Sequence, residues 1–192
     1  RGCALVFSGA LRAFPRGTVV ICGLAFGVLF AYALARPPVE SVFLEDYGSE
    51  ALPWVWAGVG LSAALVVGVY DRLARVISLP RLLRFAALLS VALLLGLNAL
   101  RAAGLRPATA LLYVWKDLHV VVLVEILWSV ANVAFEVGAA RRAYGVFCAC
   151  GSLGGMAGNL ATGVLASRFG TDLALLAPAP MLLLVALAAG FL

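Results

Sequence analysis

The sequence predicts an all-α fold: a polytopic membrane protein built as a bundle of six transmembrane helices. Three observations predict it. Apolar residues make up 65% of the 192-residue chain and charged residues only 12%. Soluble domains run at about 45–50% and about 25% respectively. The apolar residues fall into six runs of a length that can cross a bilayer. The arginines gather in short connections between those runs, as topology determinants do. They do not form the basic-plus-aromatic clusters of a nucleic-acid surface, so the net charge of +5 implies no nucleic-acid partner. The partner implied first is the lipid bilayer.

Residues 1–16 hold Arg1, Arg12 and Arg16 around apolar residues and predict an interfacial amphipathic segment. Arg1 in place of Met and the absence of a signal-peptide layout are read as the interior of a longer gene. The first span is expected at about 17–36, with Pro37 and Pro38 marking a break or kink. The acidic stretch from Glu40 to Glu50 follows, and its apolar residues Val39, Val42, Phe43 and Leu44 are candidates to extend the helix. The second span, about 52–70, opens on Trp54 and Trp56, interface anchors by type. Gly58, Gly60, Ser62 and Ala64 predict a small-residue face for close packing. The third span, about 83–102, is nearly uniform apart from Asn98 and is expected to face lipid.

The fourth span, about 109–133, carries Lys116, Asp117, His119 and Glu125. A charge at mid-bilayer costs about 2.5–3.5 kcal/mol on insertion scales, so it tends to face protein or water and to have a task. At about 100° per residue, Asp117, Val121, Glu125, Trp128 and Asn132 share one face within about 80° of arc. That polar stripe predicts a helix lining a transport pathway, with Lys116 directed away from it and His119 well off it. The fifth span, about 144–166, is glycine-rich. Gly151–Gly155 and Gly154–Gly158 have GxxxG spacing and predict close approach of another helix. No strand precedes this run and no lysine follows it, so it is not a phosphate-binding loop. The turn SRFGTD leads to a sixth span at about 173–192, which Pro178 and Pro180 should kink or delay. Cys3, Cys22, Cys148 and Cys150 have neither disulfide-framework nor zinc spacing and are read as small packing residues.

With six spans, one side carries Arg1, Arg12, Arg16, Arg72, Arg75, Arg81, Arg84, Arg141 and Arg142. The other has Arg36, Arg101, Arg106 and Arg168. The positive-inside rule then places both termini in the cytoplasm, in a cell (inner) membrane.

The order of these features resembles the amino-terminal half of a major facilitator superfamily transporter. Three places are similar to the nucleotide (ATP:ADP) transporter family and its bacterial relatives. They are YALARPPVESVFL (32–44), DYGSEALPWVWAG (46–58) and the run from YVWKDL through LWSVANVAFEVGAARRAYGVFCACGSLGG (113–155). The resemblance implies transport of a phosphorylated or nucleotide-like solute. In that family a first-helix lysine helps hold phosphates and a fourth-helix acid contributes to transport. Here Val39 stands at the basic position, Glu40 keeps the acid beside it, and Asp117 matches the fourth-helix acid.

The expectations are therefore these. Asp117, Glu125, Asn132, Arg36 and Lys116 border a solute pathway, with Arg36 binding an anionic group. Asp71, Arg72 and Arg75 form a gate latch, because Tyr-Asp-Arg-Leu-Ala-Arg resembles the superfamily's loop between helices two and three. Gly151, Gly154, Gly155 and Gly158 serve helix packing. A second six-helix half, in the same gene or a partner chain, completes the pathway. No metal or cofactor is implied, and an enzyme is not expected, since His119 has no Ser or Cys partner at recognisable spacing. The alternative function is a non-transporting membrane anchor or sensor module of a larger protein.

Overall fold

The computed structural model describes residues 16–134 and 137–192, with side chains for 17–134 and 143–192. Residues 1–15 of the interfacial segment expected at 1–16, Glu136, and the side chains of Arg141 and Arg142 lie outside the described residues, and Arg16 opens the first helix. The described residues form six α-helices and no strand. These are α1 (Arg16–Tyr47), α2 (Leu52–Ala74), α3 (Leu79–Ala102), α4 (Arg106–Ala134), α5 (Val137–Leu176) and α6 (Pro178–Ala188). Short 3-10 turns cover Ser49–Ala51 and Ala189–Phe191. By length and composition α1, α2 and α3 can each cross a membrane, and α5 with α6 forms a fourth such unit, bent by 51°. The chain is thus an all-helical protein with three to four apolar helices of membrane-spanning length.

The first helix does not stop at the prolines. α1 runs unbroken through Pro37 and Pro38 to Tyr47, so the first span is longer than its apolar run. Each proline lacks an N–H and leaves the carbonyl four residues earlier without its helical partner. Those carbonyls belong to Ala33 and Leu34. The buried hydroxyl of Thr162 on α5 lies 3.2 Å from the Ala33 oxygen and 3.5 Å from that of Leu34, sharing its proton with its own Gly158 carbonyl at 2.9 Å. With one proton to share, this hydroxyl of the neighbouring helix partly satisfies the groups the prolines free, the Ala33 carbonyl more than that of Leu34. Beyond them, Val39, Val42 and Phe43 are core residues, while Leu44 is exposed.

The α1–α5 contact is the tightest in the fold. A Cβ on Gly154 would fall on the Phe26 carbonyl, and one on Gly158 would come within 2.6 Å of the Phe30 oxygen. Gly151 faces Ala25 and Leu29 at ordinary contact distance, whereas nothing lies within 4 Å of a Cβ at Gly155. The packing stripe is therefore Gly151, Gly154 and Gly158, and Gly155 is not part of it. Similarly, Gly58 and Gly60 on α2 have open space around them, against the expected close packing. Only 6% of the most apolar window of α2 is buried. α3 is better covered than its uniform composition suggests: Leu83, Ala87, Ser90, Val91 and Leu94 form a buried face.

The turns follow from glycine. Gly104 (φ 86°) ends α3. Its N–H bonds the Arg101 carbonyl at 2.9 Å, and the Leu105 N–H bonds that of Leu100 at 3.1 Å. This is a Schellman cap, and Pro107 then starts α4. Gly170 (φ 81°) breaks α5 inside the expected SRFGTD turn. The last span is correspondingly interrupted: α6 proper begins at Pro178. Asp172, just past the break, pairs with Arg101 at the end of α3.

The helix contacts repeat in a two-fold pattern. α1 packs on α5 as α4 packs on α2, and α3 packs on α4 as α6 packs on α1. The remaining main pairs, α1 with α4 and α3 with α6, map onto themselves. Exchanging α1–α2–α3 with α4–α5–α6 preserves the pattern, as two three-helix repeats would.

Candidate functional site

Where α1 meets α4, four charged side chains form one cluster. Arg36 and Glu40 lie one turn apart on α1, and the Arg36 Nε donates to Glu40 Oε1 at 3.1 Å. From α4, the Lys116 Nζ donates to both Asp117 oxygens at 2.9 and 3.0 Å. It also reaches Glu40 Oε1 at 3.4 Å, so Glu40 bridges the two cations and the two helices. Lys116, the chain's one lysine, is 2% exposed. Asp117 and Glu40 are partly covered, and Arg36 is open to the outside.

The Lys116 ammonium also sits 3.9 Å from the centre of the Tyr113 ring. A ring face attracts a cation, and more so where water is excluded. Tyr113 is itself held by Phe43, at 4.7 Å between ring centres, and by the Trp56 indole N–H, which donates to its hydroxyl at 2.9 Å. The junction is braced above the cluster. Thr109 donates to Asp46 at 2.6 Å, and the Tyr47 hydroxyl donates to the Arg106 carbonyl at 2.8 Å. Lys116 lies ten residues into α4, about 15 Å along its axis, well inside the bundle's length.

The expected pathway residues thus divide. Arg36, Lys116 and Asp117 meet. Lys116, directed away from the stripe by its Cα position, turns its ammonium back on its long stem to Asp117. Glu125 stands eight residues further on, about 12 Å along the axis. It is exposed and has no ion pair or hydrogen bond among the described residues. Asn132 accepts a hydrogen bond from the Tyr144 hydroxyl of α5 at 2.6 Å, away from the cluster. Nevertheless the stripe is a real face: Val121, Glu125 and Asn132 are exposed and Asp117 and Trp128 half-buried, while Leu123, Ile126, Leu127 and Val130 are in the core. It is the open side of α4.

Glu40, which the resemblance marked as the acid beside Val39, was not among the residues expected to border the pathway. It falls within the acidic stretch expected as an outer connection, yet that stretch is helical through Tyr47. The Arg36–Glu40 spacing of four residues was the signal that could have found it. The latch residues also sit differently. Asp71 and Arg72 belong to the last turn of α2 and Arg75 caps it; all three are exposed, with no ion pair among the described residues.

On another face of α4, a cleft of about 500 Å³ opens between α2 and α3. Its lining is apolar except for Tyr70, Ser90, Trp115 and His119. His119 is buried, stacked on Trp115 with ring centres 4.4 Å apart, and its Nδ1 bonds the Trp115 carbonyl at 3.2 Å. The Tyr70 hydroxyl pairs with Ser129 at 2.7 Å. The cleft and the charged cluster lie on different faces of α4, and of the two the cluster is the one built from charged side chains. In comparisons with known proteins, no family model, no curated protein and no solved structure matches this chain.

Proposed function

We propose that the chain is one half of a secondary transporter, moving a small anionic or nucleotide-like solute by alternating access. The observation that carries this reading is Lys116, a buried cation bound to two carboxylates beside the open Arg36, deep in an apolar bundle. Ions in such surroundings cost several kcal/mol each and tend to mark ion or solute paths. Lys116 also bears on the resemblance to nucleotide transporters. The first-helix position where that family has a basic residue is Val39, fully buried here. Lys116 brings a positive charge to the neighbouring Glu40 from the fourth helix instead. A solute with phosphate-like charge competes with Glu40 for Arg36 and Lys116, and its release lets the carboxylate return.

On this reading the six expected spans cross the inner membrane, the last starting after the Gly170 break and continuing through α6, with both termini cytoplasmic. The wall of the pathway is the open face carrying Arg36, Asp117, Glu125 and Asn132, closed by a second six-helix half. Asp71, Arg72 and Arg75, free at the end of α2, are placed to latch against that half. The test is uptake by the complete transporter in liposomes, with labelled nucleotides, inorganic phosphate and amino acids as candidate solutes. Saturable uptake of a phosphorylated solute, lowered about tenfold or more by Arg36→Ala and by Glu125→Gln, is expected; tenfold is about 1.4 kcal/mol. Unchanged uptake and pH dependence in both variants removes the pathway.

One observation favours the second reading, an anchor or sensor module. The cluster's charges balance, Arg36 and Lys116 against Glu40 and Asp117, as in a staple between α1 and α4. The paired change Glu40→Gln with Lys116→Met separates the two. A staple alone leaves every activity of the complete protein intact, whereas a pathway loses uptake while the protein still folds.

A further inference from the structure

We propose that Cys22 and Cys150 are a reversible redox pair, able to form a disulfide that fastens α1 to α5. The inference rests on the helix register and is independent of the transport reading. Along the α1–α5 seam the facing residues keep one offset. Phe26 meets Gly154, Phe30 meets Gly158, and Leu34 meets Thr162. One turn earlier, the same offset sets Cys22 opposite Cys150 across the seam. The neighbouring rung is the one where the Gly154 backbone lies against the Phe26 carbonyl. A disulfide needs α-carbons within about 7 Å, a separation that helices packed this closely can supply.

Both thiols are half-buried, so a small lipid-soluble oxidant can reach them. Cys148, two residues from Cys150, is more exposed, yet it points away from the seam and has no facing thiol among the described residues. The oxidant is an organic hydroperoxide. One thiol attacks the peroxide, its O–O bond breaks, and a sulfenic acid and an alcohol form. The second thiol then displaces water from the sulfenic sulfur, making the S–S bond. Two thiols give up two electrons and two protons in all, and the hydroperoxide takes them as alcohol and water. In a reducing compartment the bond is transient, and it reports or resists oxidation of the surrounding lipid.

The test treats the purified full chain in lipid vesicles with cumene hydroperoxide. Free thiols are counted by maleimide mass-tagging after denaturation, and cross-links are mapped by peptide mass spectrometry. Monomer that loses two of its four thiols, maps to Cys22–Cys150 and regains both on dithiothreitol is the expected result. Cys148→Ser leaves this unchanged, whereas Cys22→Ser and Cys150→Ser each abolish it. Cys22→Ala keeps the result interpretable should serine disturb the seam. Monomer retaining all four thiols overturns the proposal, and so does a cross-link through Cys148 or Cys3.

Discussion

Lys116 is held by three neighbours at once: Asp117 beside it, Glu40 across the helix junction and the Tyr113 ring. Removing the cation alone leaves two partly covered carboxylates facing each other's charge. Lys116→Ala is therefore expected to destabilise the protein by about 3–5 kcal/mol, read as a lower unfolding midpoint in detergent. Lys116→Met combined with Glu40→Gln should recover part of that loss, because the cluster is then neutral again, Arg36 against Asp117. Glu125 is the opposite case. It is exposed and without a bonded neighbour, so Glu125→Gln should change the unfolding free energy by no more than about 0.5 kcal/mol. A larger loss would mean that Glu125 has a partner holding the fold. Periodicity made Asp117 and Glu125 visible as residues of one face. It could not show that Lys116 folds back onto that face, because the reach of a lysine stem is invisible to a helical wheel.

At the scale of elements, the α1–α5 seam and the double proline are one device. Thr162 covers the carbonyls that Pro37 and Pro38 release. Replacing it with valine keeps the shape and deletes the hydroxyl, which should cost about 1–3 kcal/mol, while Thr162→Ser should cost far less. Gly154→Ala pushes a methyl group into the Phe26 backbone and should cost about 1–3 kcal/mol. Gly155→Ala meets open space and should stabilise the helix by about 0.5–1 kcal/mol. Thermal melts of the four variants check the ordering. The GxxxG spacings were legible in the sequence, but two overlapping frames were possible and only contact with α1 chooses between them. The prolines misled for the same reason: a break is the local expectation, and its rescue comes from a residue more than a hundred positions away.

For the whole molecule, an all-helical chain of apolar spans followed from composition, and the turn at Gly104 and the break at Gly170 fell where glycine and charge interrupt the runs. The ends of α1 and the burial of each helix did not follow, since a membrane helix is apolar on every side and periodicity then says little about which side packs. α2 shows this best: its small residues suggested a packing face, yet it is the barest helix. The two-fold pattern of contacts leaves α1 and α4 at the centre, each touching three other helices. Cysteines placed at Val76 and at Ala103, in the turns that end α2 and α3, should react with an impermeant maleimide from opposite sides of a sealed vesicle. Labelling from one side only would overturn the alternating arrangement of spans.

The constant offset between α1 and α5 also limits how this gene can drift. Deleting one codon between Cys22 and Leu34 rotates everything beyond it by about 100° and puts the contacts on the far side out of step with the Cys22–Cys150 rung. A four-codon insertion advances the screw by slightly more than one turn and keeps the teeth meshed. Length variation in homologous chains should therefore collect in the connections, and where it enters this pair of helices it should come in fours.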